Sequence, residues 1–212
     1  MNGVNITTKH KQMKHTLLTL TLLSTLALAS AQEKLSREET LRYAFVVAGD
    51  LKQLQATPIP TDVDVKQPVA VRDGDFGGMV LPEAKLNADT IAKAGEKVVP
   101  IGQVWFLKLT PMKDGEAVAA SKLRMVTLTY EGDQVKVSQY ALGVQRNGAG
   151  ALELLVFGKD KEPVVKVLLK TMDAKQDVPI DLSAERESDS GKVTLNILGK
   201  YTATFAVTQL ED

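Results

Sequence analysis

The chain has 212 residues, is 44% apolar and 25% charged, and carries 26 basic and 26 acidic side chains with no cysteine. That composition suits one folded domain and argues against a disordered or collagen-like chain, a polytopic membrane protein and a disulfide-stapled mini-domain. The zero net charge argues against a nucleic-acid binder, whose phosphate contacts need a basic surplus.

Residues 1–31 read as an address and not as part of the fold. Lys9, Lys11 and Lys14 form a basic opening free of acids, residues 17–28 are a run of Leu, Thr, Ser and Ala, and Ala29-Ser30-Ala31 puts small residues at positions −3 and −1 of a cleavage site. This is the three-part pattern of a secretory signal peptide. An N-terminal core helix is the alternative, but the run shows no polar face. It is shorter than the about 20 apolar residues a spanning helix needs, and no cysteine follows the cleavage site to take a lipid. Neither a membrane span nor a lipid anchor is expected. Met13 offers a compact start, so residues 1–12 read as an over-extended beginning. The expected mature protein begins at Gln32 and is exported, to the periplasm or outside the cell. It keeps 23 bases against 26 acids, a net charge of −3, and loses His10 and His15.

A mature chain without His or Cys has no Ser-His-Asp or Cys-His machinery, none of the usual zinc sites and no thiol redox chemistry. Carboxylate pairs, a lysine nucleophile, a Ser-Lys pair or an oxygen-ligated metal remain.

Residues 32–62 are read as a helix or strand followed by a proline-containing linker. Ser36-Arg37-Glu38-Glu39 fits a capping box, and Leu41, Phe45, Ala48 and Leu51 recur at helical spacing. These predict a helix over 35–55. The alternative is a strand over 41–47 ended at Gly49-Asp50, since Tyr43, Phe45, Val46 and Val47 favour strands. Pro58 and Pro60 keep residues 57–62 extended.

Residues 63–212 are expected to form an antiparallel β domain. Strands are predicted over 69–72, 77–81 and 103–109, with a short helix over 87–94 between them, capped by Asn87 and stopped by Gly95. Further on, Val126, Leu128 and Tyr130, then Val135 and Val137, then Leu152, Leu154 and Val156, then Val165, Val167 and Leu169 alternate with their neighbours. Ile180, Leu182 and Ala184, Val193, Leu195 and Ile197, and Tyr201, Ala203, Phe205 and Val207 continue the pattern. Turn residues separate these runs at 131–134, 147–150, 158–163, 188–191 and 199–200. The fold class is mainly β: an antiparallel β-sandwich, or flattened barrel, of about nine strands with one or two short helices, one of them N-terminal. Single-face alternation implies two sheets packed by their apolar faces.

Arg72-Asp73-Gly74-Asp75-Phe76-Gly77-Gly78 is the most unusual stretch. Asp73 and Asp75, with Asp62 and Asp64 nearby in sequence, are candidate calcium ligands, because calcium takes several carboxylate and carbonyl oxygens. The alternative is a hairpin turn in which Asp and Gly serve the backbone. Trp105, the sole tryptophan, reads as core on the side of Leu107 and Leu109; an exposed row of Tyr130, Tyr140 and Tyr201 would instead point to a glycan. Ser121-Lys122 and Ser36 near Lys34 lack the S-x-x-K spacing of penicillin-recognising enzymes. Lys159, Lys161, Lys166 and Lys170 are interrupted by Asp160 and Glu162 and read as a solvated hairpin. No catalytic or cofactor-binding residue stands out, and calcium is the one cofactor considered.

The expected function is a non-catalytic binding or assembly role with a protein or glycan partner and no nucleic acid. The alternatives are a carboxylate-dependent, calcium-assisted hydrolase of extracellular or periplasmic polymers, and a structural subunit of an envelope assembly.

Overall fold

Period-two alternation punctuated by turns folds this chain into two antiparallel sheets. The computed structural model describes residues 32–211; the signal-peptide reading lies outside them. In chain order the elements are β1 (Glu33–Lys34), α1 (Arg37–Gly49), α2 (Leu51–Gln55), β2 (Val69–Asp73), β3 (Phe76–Pro82), α3 (Ala88–Ala92), β4 (Val99–Leu107), β5 (Leu109–Lys113), β6 (Glu116–Ala117), β7 (Arg124–Tyr130), β8 (Asp133–Arg146), β9 (Leu152–Phe157), β10 (Pro163–Leu168), β11 (Lys170–Thr171), β12 (Ile180–Glu187), β13 (Ser190–Ile197) and β14 (Tyr201–Gln209).

The first sheet runs β1-β2-β3-β4-β8-β9-β10. Its long strand β8 takes two neighbours in succession on one edge: β7 along residues 133–139, then β9 along residues 141–146. The second sheet runs β12-β13-β14-β5-β6, with β11 on β14. Inward-facing Val80, Val104, Phe106, Tyr140, Leu142 and Val156 of the first sheet meet Ile180, Leu182, Leu195, Ile197 and Phe205 of the second. The Tyr140 hydroxyl faces Thr110 Oγ1 at 3.4 Å, and Ser138 Oγ donates to the Leu109 carbonyl at 3.0 Å, so polar contacts also cross between the sheets. Ion pairs of Lys34 with Asp181 and of Arg186 with Asp73 tie the open edges together. The mainly β, sandwich-like reading is correct, and among the described residues fourteen strands replace the expected nine or so. Three of the additions, β1, β6 and β11, are two-residue pairings too short to show a period.

The N-terminal segment is helix, not strand. Ser36 accepts from the Glu39 backbone N–H and the Glu39 carboxylate accepts from the Ser36 N–H, closing the capping box. Asp50 breaks the helix by capping α2 through the Gln53 N–H. Two details depart from expectation. The buried stripe of α1 is Thr40, Ala44 and Val47, whereas Phe45 is 59% exposed. The strand expected over 103–109 is two strands, because Lys108, at φ 56°, swings the chain from the first sheet into the second. Leu107 and Leu109 thus belong to different sheets. Asn87 caps α3 as expected, through its side chain and the Thr90 N–H.

Single-face alternation also fails in the middle of the first sheet. Both faces of β3, β4, β8 and β9 are covered, one by the second sheet and one by α1, α2 and the linker. The molecule is therefore three layers deep there. An alternating strand and a doubly buried strand both carry apolar residues at every second position; what differs is the intervening set, which here mixes large apolar Met79, Leu81, Trp105 and Leu155 with the amides Gln103 and Gln139.

Candidate functional site

The register of the first sheet lays its outward-facing residues in rows. One row reads Ala70, Met79, Trp105, Gln139 and Arg124; the next, nearer the β2–β3 turn, reads Arg72, Gly77, Leu107, Val137 and Val126. The rows behave differently beneath the helical layer.

The row through Trp105 is a latch. Gln103, one step further along β4, donates from Nε2 to the Leu54 carbonyl at 2.7 Å and to Thr61 Oγ1 at 2.8 Å. Its Oε1 accepts from Trp105 Nε1 at 3.1 Å and from Gln139 Nε2 at 3.0 Å. Gln139 also donates to the Gln53 carbonyl at 3.1 Å. Arg124 donates to the Oε1 atoms of Gln139 and Gln53. The last carbonyls of α2 lack partners within their helix, so this network satisfies them and fixes the helical layer to the sheet. No buried side-chain polar atom among the described residues is left without a partner.

The row through Gly77 is open. Tyr43 of α1 meets Tyr130 of β7 with ring centroids 5.2 Å apart, and this pair props the helix off the sheet. Opposite them Gly77 has no side chain; a Cβ built there would touch only Leu107 Cβ and the Val71 carbonyl, both at 3.7 Å. The result is a cavity of about 250 Å³ between α1 and the sheet. Val46 and Val47 form its roof, Met79, Trp105, Leu107, Leu128 and Val137 its floor and walls. Tyr43 and Tyr130 are among its lining residues, and Arg72 is the one charged residue there among the described residues. Arg72 faces Glu33 at 3.6 Å, longer than a hydrogen bond, and its side chain is 44% exposed.

The candidate calcium ligands are not brought together. Asp73 ends β2 and Asp75 lies within the two-residue turn Gly74-Asp75, with Gly74 at φ 57°; Asp75 faces Lys108 at 3.3 Å. Asp62 and Asp64 lie at the opposite end of β3, where their backbones pair with Ala84 and Pro82. Nearness in sequence misleads because β2 carries the chain away between them. No group of three or more metal-ligating side chains occurs among the described residues. Trp105 is buried, 3% exposed, as expected. Tyr140 is fully buried between the sheets, where burial raises its phenol and keeps it protonated, so the three tyrosines form no exposed row. Ser36 is a helix cap, and Lys122 pairs with Asp160.

Two further cavities are more polar. One of about 440 Å³ lies at the sandwich end between the β2–β3 and β12–β13 turns, and one of about 400 Å³ lies between β10 and the β5–β14 pair. Neither contains Glu83, the one carboxyl among the described residues shown to be raised, which burial lifts while it accepts from the Asp62 N–H. No protein-family model matches this chain, and no curated protein or solved structure is significantly similar to it.

The sequence reading missed the cavity. In the sequence Arg72 and Gly77 read as the ends of two predicted strands beside a turn, and Tyr43 as a strand-favouring residue. The available signal was glycine at an outward position of an apolar strand, which marks a close approach or an empty space.

Proposed function

We propose that this is an exported binding protein that holds an apolar or amphipathic small molecule between α1 and the first sheet. The observation that carries the reading is the cavity above Gly77, walled by aliphatic and aromatic side chains with few polar residues among them. Pockets that take small molecules have this character: concave, mostly apolar, with a few placed polar groups. Export rests on the basic opening, the twelve-residue run and Ala29-Ser30-Ala31. A hydrolase acting through paired acids draws no support from this site, since no carboxylate lines the cavity.

Trp105 lies in the wall and is the sole tryptophan, so it reports on the site. Titration with N-phenyl-1-naphthylamine, a neutral apolar fluorophore, is expected to give saturable one-to-one binding with energy transfer from Trp105. Binding without transfer, or linear uptake with no saturation, would place the fluorophore elsewhere and remove the reading.

A further inference from the structure

We propose that the ligand is a single-chain amphiphile with an anionic headgroup, its tail in the cavity and its head on Arg72; this rests on the reading of the cavity given above. A neutral apolar compound requires no cation. Yet the cavity lining contains one guanidinium among otherwise uncharged residues. Arg72 stands directly across from Gly77 in the β2–β3 register, so the empty space and the charge are next to one another on the sheet.

Arg72 is also available. Its ion-pair partner, Glu33, lies across from it on the two-residue edge strand β1, at 3.6 Å, with the Glu33 side chain 69% exposed. A pair so solvated is weakly held. A carboxylate arriving along the apolar wall can instead take the same guanidinium in a charge-assisted, bidentate hydrogen bond, which is stronger than a solvated pair at 3.6 Å. The headgroup therefore displaces Glu33, and Glu33 acts as a competitor for the site. The chemistry is that of a fatty-acid-like carboxylate, with a cationic amphiphile disfavoured by the same charge.

The test compares dodecanoate, 1-dodecanol and dodecyltrimethylammonium below their micelle concentrations, read by displacement of N-phenyl-1-naphthylamine and by Trp105 emission. Wild-type protein is expected to prefer dodecanoate over dodecanol by about tenfold. Arg72→Met is expected to erase that preference, weakening dodecanoate about tenfold more than dodecanol. Glu33→Gln is expected to tighten dodecanoate alone, an effect that a merely structural Arg72 would not produce. Equal wild-type affinity for dodecanoate and dodecanol, or an equal loss of both in Arg72→Met, overturns the headgroup assignment and leaves the cavity reading standing. Failure of all three amphiphiles and of the fluorophore overturns both.

Discussion

Gln103 shows how one side chain can hold two layers. Its amide gives to the end of α2 and takes from Trp105 and Gln139. Gln103→Leu keeps the size and removes every bond that side chain makes, stranding Trp105 Nε1 in a buried place and leaving the Leu54 carbonyl only the longer bond from Gln139. A loss of about 3 kcal/mol is expected in urea unfolding, against a smaller loss for Trp105→Phe, which leaves one acceptor short. Gly102 is constrained differently: at φ 147° a Cβ would lie 2.3 Å from the Leu81 carbonyl, so Gly102→Ala is expected to destabilise by about 2 kcal/mol or more. Glu83 gives a pH signature. Burial raises its carboxyl above the ordinary 4.5, so the folded chain binds that proton more tightly than the unfolded chain does. Its contribution to stability is full below about pH 4.5 and is lost as pH rises through the raised folded value. Glu83→Gln keeps an acceptor for the Asp62 N–H and is expected to flatten that fall, measured as the urea midpoint from pH 4.5 to 7. An unchanged slope would assign the fall to other groups.

Among the elements, α1 matters most because it roofs the cavity. Its start is set locally: Ser36 and Glu39 hold each other's backbone donors, and Ser36→Ala is expected to cost about 1 kcal/mol in unfolding. The hydrogen bonds from Ser36 also lower the Glu39 carboxyl, so that stabilisation is present above the ordinary 4.5 and is lost as pH falls, the opposite sign to Glu83. This start was legible in the sequence, as were the Asn87 cap and the turns at 131–134, 147–150, 158–163, 188–191 and 199–200, because caps and turns are decided by residues within a few positions; the Asp114-Gly115 turn between β5 and β6 was not. The buried face of α1 was not. Leu41, Phe45 and Ala48 form the more apolar stripe, but Thr40 and Ala44 are small enough to let the helix approach the sheet, and the sheet decides. Nor was the division of β4 from β5 legible, since Lys108 is an unremarkable residue in an apolar run and its positive φ follows from the second sheet's position.

For the whole molecule, the consequence is a sandwich whose first sheet is covered twice. Periodicity within each strand located the strands; it could not say that the N-terminal helices would return to cover the outer face, because that contact joins residues far apart in the chain, such as Leu54 with Gln103. The cavity is a product of this third layer. It exists where Tyr43 and Tyr130 hold the layer up and Gly77 leaves the floor empty, and neither condition is visible in one segment alone. Gly77→Val tests this most directly. A Cβ at that position meets its neighbours at ordinary contact distance, and the added methyl groups enter the cavity. Thermal melting and N-phenyl-1-naphthylamine titration should be measured on the same preparations of both proteins. The account predicts a variant that melts at or above the wild-type temperature and no longer binds the fluorophore. A variant that melts as the wild type does and binds with unchanged affinity and unchanged transfer from Trp105 would contradict it.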